Sequence, residues 1–323
     1  MTHAIVMNEV GGPEVLKWEA VETTEPGPGQ IRIRQTAVGL NYIDCYHRSG
    51  LYPLDLPASI GMEAAGAIDA VGDGVTTLSV GDRVAYASAP PGAYTQSRVI
   101  AADRVVALPD SIADDTAAAM MLQGMTVQYL LRRTYRVQSG DTVLLHAAAG
   151  GVGLIACQWL KLLGATVIGT VGSDEKAELA TTHGCDHAIV YTRENFAERV
   201  REITNGEGVP IVYDSIGKDT FDGSMDCLAP LGVFVSFGNA SGPLEPFNPG
   251  ILAAKGSLFF TRPSLVHYTA KASDLQQCAK DLFDVVAKGL KIEINQRFPL
   301  KDAAAAHTAL EARKTTGSTI LQP

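Results

Sequence analysis

Six short apolar runs, "TVLLH", "ATVIGTV", "HAIVY", "VPIVYDS", "VFVSFG" and "SLFFT", follow one another from Asp141 onward, alternating with helical stretches such as "SDEKAELATTHG" and "ENFAERVREITNG". A run that is apolar throughout makes a strand buried on both faces. Strand–helix alternation lays each strand parallel to the last, so the pattern predicts an α/β unit with a doubly wound parallel sheet. The glycines that close the helical stretches suit helix caps. Before this region the texture differs: "GQIRIRQTAVGL" alternates Ile31 and Ile33 with Arg32 and Arg34, the period of a half-buried strand, and "GDGV", "VGDRV" and "PPGAY" supply turns. The early chain is therefore mostly β until Pro109, after which "SIADDTAAAMMLQGMTVQYLLRR" reads as helical. The alternation stops near Pro263. We expect a nucleotide-type domain at 125–263, inserted in a first domain made of 1–124 and completed by 264–323.

The stretch "LLHAAAGGVGLIACQW", Leu144 to Trp159, sits at the first strand-to-helix turn of that alternation. Val152, Ile155, Ala156, Trp159 and Leu163 recur at helical spacing behind it, with Gly164 available to close the helix. In the dinucleotide fingerprint the three glycines give a tight turn, close backbone approach to a pyrophosphate and close helix packing; Ala148, Gly150 and Gly153 occupy those places here. The absence of charge is expected, because backbone N–H groups and the positive helix end face the phosphates. Gly-Lys-Ser/Thr never follows the glycines, which removes a P-loop.

At the end of the second strand an NAD enzyme carries an acid for the ribose hydroxyls, whereas "GTVGSDEK" puts Gly172 and Ser173 there with Lys176 close behind. Ser173, Lys176 and Tyr191, the last at the end of the third strand, can hold a 2′-phosphate, so NADPH is the expected cofactor. The plainer readings are an N-cap for Ser173 and a solvated helix face for Lys176, and Asp174 and Glu175 would repel a phosphate if they pointed its way.

Composition narrows the class. No apolar run reaches the roughly 18 residues a membrane span needs, and the start "MTHAIVMNEV" has no signal-peptide character. Five cysteines, Cys45, Cys157, Cys185, Cys227 and Cys278, form no CxxC pair, which argues against a disulfide framework and points to the cytoplasm. A net charge of −9 argues against nucleic acid as the partner.

The series "GGPEVL", "GLNYIDCYHRSGLYP", "GMEAAG", "VGDRVAY", "LLHAAAGGVGLIACQW", "YDSIG", "VSFGN", "TRPSL" and "PLKDAAAAH" spans the chain. It resembles the zinc-free quinone oxidoreductases of zeta-crystallin type, within the medium-chain dehydrogenase/reductases. The resemblance implies a GroES-like substrate domain around a Rossmann-type domain, and a homodimer built through the latter. In the zinc-bearing relatives three ligands stand where this chain has Asn41, Met62 and Gln123, and none of these supplies a thiolate or imidazole. No metal is expected, and without one the oxidation of simple alcohols is disfavoured. A quinone is already electrophilic, so the protein has chiefly to orient it and stabilise a developing oxyanion. The segment "NYIDCYHRSGLY" offers Asn41, Tyr46, Arg48 and Tyr52 as donors. The resemblance places Asn41, Tyr46 and Tyr52 at the nicotinamide and quinone pocket, with Thr126 and Tyr129 beside them. Asn41 and Thr126 then also touch the cofactor.

Ligands of open α/β sheets sit beyond the carboxyl ends of the strands. There fall Ala149, Gly150, Gly151, Val152, Gly153, Gly172, Ser173, Tyr191, Ser215, Phe237, Gly238, Asn239, Ser241, Arg262, Pro263 and Ser264, which agree with the family's cofactor contacts; Arg313 is a further candidate. The expected function is metal-free, NADPH-dependent reduction of quinones. The alternatives are reduction of activated alkenes such as enones and alkenals, and a non-enzymatic NADPH-binding, crystallin-like or RNA-associated role.

Overall fold

The computed structural model describes residues 1–87 and 89–323, which divide into two compact units, Met1–Met125 with Tyr268–Phe283 and Ile292–Pro323, and Thr126–His267 with Asp284–Lys291. Asp284–Lys291 belongs to the second unit, apart from the segments on either side of it. There the amide of Gln158 donates to the Lys291 carbonyl at 3.0 Å and receives the Lys291 N–H at 2.8 Å.

The second unit is built on six parallel strands. Their spatial order is His187–Val190, Thr166–Val171, Thr142–Leu145, Val209–Asp214, Leu228–Ser236 and Phe259–Thr261, which is third, second, first, fourth, fifth and sixth along the chain. Both faces of the central strand are dry: Val143, Leu144 and Leu145 are all buried. The connecting helices Gly151–Leu162, Asp174–Thr182, Phe196–Ile203 and Phe221–Cys227 follow successive strands. A cluster that includes Leu144, Ile168, Val200, Val212, Met225 and Phe234 fills the space beneath Phe196–Ile203 and Phe221–Cys227. Helix starts are set locally: Ser173 Oγ accepts the Lys176 N–H, and the Asn195 side chain accepts from Ala197 and Glu198. The helix Gly151–Leu162 ends at Gly164, whose φ of +80° is open to glycine at little cost.

In the first unit the strand Gln30–Leu40 is the hub. It pairs antiparallel with Ser318–Gln322, Glu63–Val71 and Ser97–Ala101, and its register slips between Arg32 and Ile33 and between Gln35 and Ala37. As the alternation predicts, Ile31 and Ile33 enter the core, while Arg32 turns out to pair with Asp69 and Glu25. The helical stretch expected after Pro109 is broken into Asp114–Ala118 and Met121–Tyr129, the latter running into a wider turn at Leu130–Thr134. Among the described residues no helix is long and apolar enough to cross a membrane.

Candidate active site

The order of the six strands places neighbours from opposite directions of the chain beside Thr142–Leu145. The helices leaving the two sides diverge, which opens a crevice at the carboxyl end of that strand. The glycine turn stands at this point. A Cβ on Gly153 would lie 2.3 Å from the Ala147 carbonyl oxygen, so this glycine permits the helix to sit against the turn. A Cβ on Gly150 would meet only that same oxygen, at 3.3 Å, which leaves the outer side of the turn open to an approaching group. The alanine in place of the first glycine has a structural explanation. A Cβ added at Gly169 would come within 2.6 Å of the Ala148 methyl, so the second strand carries the glycine that the turn lacks. The strained residue is Ala147, at φ +56°. Behind it the first N–H groups of the 12-residue helix from Gly151 have no intrahelical partner and face an anion favourably. The cradle thus fits the pyrophosphate of a dinucleotide, with Ala149, Gly150, Gly151, Val152 and Gly153 as its wall.

At the second strand's end Tyr191 lies over Gly172, where an added Cβ would stand 3.0 Å from its hydroxyl. Ser173 acts as the helix N-cap, and its hydroxyl also holds the Glu175 carboxyl below the ordinary range. Its side chain is therefore used locally, the plainer of the two sequence readings. Asp174 does not stand as an uncompensated repelling charge, because Arg193 pairs with it at 2.6 Å and the guanidinium lowers its pKa. Arg193 is a cation that sequence reasoning missed, two residues beyond Tyr191. Lys176 is half-buried on the same helix start.

The remaining strand ends are held as one group. Asp214 is fully buried and receives the N–H of Ile216 at 2.7 Å and of Gly217 at 2.9 Å, which turns the chain after Ser215. A Cβ on Gly238 would strike the Ser215 carbonyl oxygen at 2.4 Å, and Arg262 donates to the Gly238 carbonyl at 3.2 Å. The Ser241 hydroxyl donates to Ile216 and receives the Asp219 N–H, so it stabilises the rim. Phe237 donates its N–H to Asp214, and Pro263 and Ser264 follow Arg262 into the short helix Leu265–Tyr268. Thr126 and Tyr129 are buried one turn apart on the helix Met121–Tyr129. Arg313 lies in the first unit, exposed at a left-handed turn after the helix Ala303–Glu311.

In the first unit the helix Tyr42–Ser49 begins with Asn41 as its N-cap, and the Asp44 carboxylate receives the Asn41 N–H at 2.9 Å. Asn41 is 5% exposed. Its Nδ2 donates to Glu63 at 2.5 Å, and its Oδ1 receives Gln123 Nε2 at 3.2 Å. These are two of the three positions at which zinc relatives carry ligands, and the third, Met62, is a buried thioether. An amide pair bonded to itself and a carboxyl does not fit a catalytic zinc. Tyr46 packs between Tyr42 and Tyr52, with ring centroids 5.5 and 5.3 Å away. Arg48 departs from the expected role. It is 3% exposed, its guanidinium is bound to Glu311 at 2.6 and 3.0 Å and to the Gly11 carbonyl, and it stands 3.2 Å from His307. With its donors engaged, Arg48 is an anchor of the helix and not a quinone donor. Glu63, also missed as a site residue, is fully buried, and burial pushes its carboxyl above the ordinary range.

Profiles of known families match two stretches: an alcohol dehydrogenase GroES-like domain over residues 27–110 and a zinc-binding dehydrogenase domain over residues 151–284. A quinone oxidoreductase of Pseudomonas aeruginosa is 55% identical over 325 residues, covering 100% of both chains. A 2-haloacrylate reductase of a Burkholderia species is 48% identical over 331 residues, covering 100% of this chain and 99% of its own. The structure of Escherichia coli quinone oxidoreductase complexed with NADPH superposes with a TM-score of 0.98 at 47% identity, covering 99% of this chain and 100% of that one.

Burial pushes the Asp44 carboxyl up to about 7, against the pull of the Asn41 N–H and the Tyr94 hydroxyl, and its Oδ1 has no hydrogen-bond partner. A carboxyl raised on folding binds its proton more tightly in the folded state, so its contribution is complete below the unfolded value of about 4 and is lost as pH climbs to about 7. Asp44→Asn removes this loss. Thermal melts between pH 4 and 8 should show the variant gaining on the wild type with rising pH, and parallel curves would refute the assignment.

Proposed function

The chain belongs to the quinone oxidoreductases of the medium-chain dehydrogenase/reductase family, and from that premise we propose that it reduces quinones with NADPH and without a metal ion. The observation that carries this reading is the pairing of an open glycine cradle in one unit with an amide-and-carboxyl cluster, in place of zinc ligands, in the other. NADPH, when bound, supplies the hydride, and the acceptor becomes an aromatic hydroquinone. Ala149 to Gly153 hold the pyrophosphate through backbone N–H groups. Lys176, Tyr191 and Arg193 serve the 2′-phosphate, and Ser215, Phe237, Gly238, Asn239, Ser241, Arg262, Pro263 and Ser264 line the rest of the cofactor's path. Asn41, Tyr46 and Tyr52 donate hydrogen bonds to the oxygen on which negative charge develops, and Thr126 and Tyr129 are further candidates for holding the acceptor. The five cysteines are all buried free thiols, which supports placement in the cytoplasm.

Reduction of an activated alkene is the second reading, favoured by the similarity to a 2-haloacrylate reductase. It uses the same cofactor and the same kind of donor. Side-by-side turnover with benzoquinone and with an alkenal separates the two, and absence of NADPH oxidation with either would leave only the binding role. The charge of −9 speaks against an RNA partner.

The edge of the parallel sheet supports a homodimer. In the strand Phe259–Thr261, Phe260 packs on Phe234 and Phe247, while Phe259 is 60% exposed beside an unpaired edge. Pairing of this strand with its copy across a two-fold axis satisfies the edge.

Lys176→Ala should weaken NADPH binding by roughly ten- to hundredfold and NADH little, as expected for a charge-assisted bond to phosphate; equal losses in fluorescence titrations would reject that role. Tyr52→Phe and Asn41→Ala should lower turnover with benzoquinone by about five- to 150-fold with smaller effects on NADPH affinity, and exhaustive chelation should leave activity intact. Light scattering should give a dimer that Phe259→Asp breaks; a wild-type monomer at micromolar concentration would overturn the edge pairing.

A further inference from the structure

We propose that Glu63 is a positioning residue for the reduction, fixing through hydrogen bonds which way the Asn41 amide faces. The inference rests on the reading of Asn41 as a donor to the acceptor's oxygen. An amide has a donor end and an acceptor end of nearly the same shape, and only its partners decide between the two orientations. Here the partners form a chain. Glu63 Oε2 receives the main-chain N–H of Leu122 at 2.6 Å, and Oε1 receives Asn41 Nδ2 at 2.5 Å. Asn41 Oδ1 then receives Gln123 Nε2 at 3.2 Å, and the Ser318 hydroxyl stands 2.7 Å from Gln123 Oε1 and 2.8 Å from the Ala119 carbonyl, sharing its one hydrogen between them.

Each bond sets the sense of the next. Leu122 lies in the first turn of the helix Met121–Tyr129, so its N–H is fixed by the main chain and commits Oε2 as an acceptor. In the ionised carboxyl, which the bonds from Asn41 and Leu122 favour although burial opposes it, Oε1 accepts as well and turns the Nδ2 end of Asn41 toward Glu63. One Nδ2 hydrogen is used there, and the amide group retains a second one for an acceptor in the site. At the start of the helix Tyr42–Ser49 the Asp44 carboxylate receives the Asn41 N–H at 2.9 Å and the Asp44 N–H reaches the Asn41 main-chain carbonyl at 3.0 Å, which fixes the backbone that carries the amide.

The fold reserves room for this carboxyl. Glu63 stands opposite Gly39 in the strand pair, and a Cβ at Gly39 would fall 2.3 Å from Glu63 Oε1 and 2.2 Å from the Ala118 carbonyl oxygen. Glu63 is 0% exposed, Gln123 6% and Ser318 2%, so water does not substitute for a missing partner.

Glu63→Gln isolates the effect because it keeps the shape and replaces one acceptor by an NH2 donor. The Gln oxygen takes the immovable Leu122 N–H, its NH2 then opposes Asn41 Nδ2, and the Asn41 amide is pushed out of its orientation. Steady-state oxidation of NADPH with benzoquinone is measured for wild type, Glu63→Gln, Asn41→Ala and the double variant, with melts and NADPH fluorescence titration as checks of folding. Glu63→Gln should lower kcat about tenfold, with NADPH affinity within about twofold of wild type, and should cost less than about twofold once Asn41 is already alanine. An equal loss in both backgrounds, or no loss in the first, overturns the positioning role. A normal kcat in Asn41→Ala overturns the reading of Asn41 itself and the proposal with it. If Glu63→Gln fails to fold, Ser318→Ala decides from the other end of the chain: its loss of kcat should likewise vanish in the Asn41→Ala background, and an additive loss refutes the coupling.

Discussion

Burial on both faces leaves a six-stranded parallel sheet nothing to present except the ends of its strands. Val143, Leu144, Val167, Ile168, Ile211 and Val212 are wholly enclosed, so no chemistry can be mounted along the strands themselves. The groups this sheet offers a ligand stand in the loops and helix starts that follow. The consequence is a rim where backbone outweighs side chain. Gly153, Gly169 and Gly238 each occupy a place where a Cβ would overlap a neighbouring atom by a wide margin. Their side-chain-free contacts let turns stack closely enough to carry a row of N–H groups. The absence of charge in the glycine turn follows from this geometry and needs no compensating cation.

Features that depend on periodicity were legible in the sequence. The six apolar runs became six strands in the order that opens a crevice beside the first, and the Ile31/Ile33 alternation became a core-facing edge of the hub strand. Such features repeat over many residues, and each repeat constrains the next. What periodicity cannot convey is the partner of a single polar group. Arg48 looked like a donor because its neighbours in the chain are site residues. Glu311, 263 positions away, decides otherwise, and no local pattern announces a bond of that separation. Asp174 is the mirror case, a charge that looked harmful and is answered by Arg193 across the adjoining loop. Ser173 caps its helix, as short polar side chains at helix starts do.

The degenerate fingerprint teaches a similar point about motifs. Ala148 weakens the match when the turn is read alone. With Gly169 placed beneath its methyl, the requirement for a missing side chain has moved from the turn to the adjacent strand. A motif written along one segment records a requirement of a contact, and a contact has two sides. The true strain sits one residue earlier, at Ala147, which a linear pattern does not mark.

The first unit poses the harder physical problem, since it must bury Asn41, Glu63, Gln123 and Asp44 with each of them held in direction. A metal organises its surroundings by charge and fixes ligand directions by coordination. Hydrogen bonds can fix direction as well, but only if every donor meets an acceptor in one consistent sense, because a buried polar group left unmatched costs more than a bond contributes. Among neutral amides alone, two senses would be nearly equal in energy. A main-chain N–H at one end breaks that tie, since it cannot reverse. The carboxyl between Leu122 and Asn41 passes this polarity to the amides, which explains why the cluster includes an acid although burial opposes its charge. On this argument amides in place of zinc ligands are half of the difference from an alcohol-type site. The other half is a hydrogen-bonded chain anchored to a helix start, which restores to Asn41 the fixed direction that a coordinated ligand would have had.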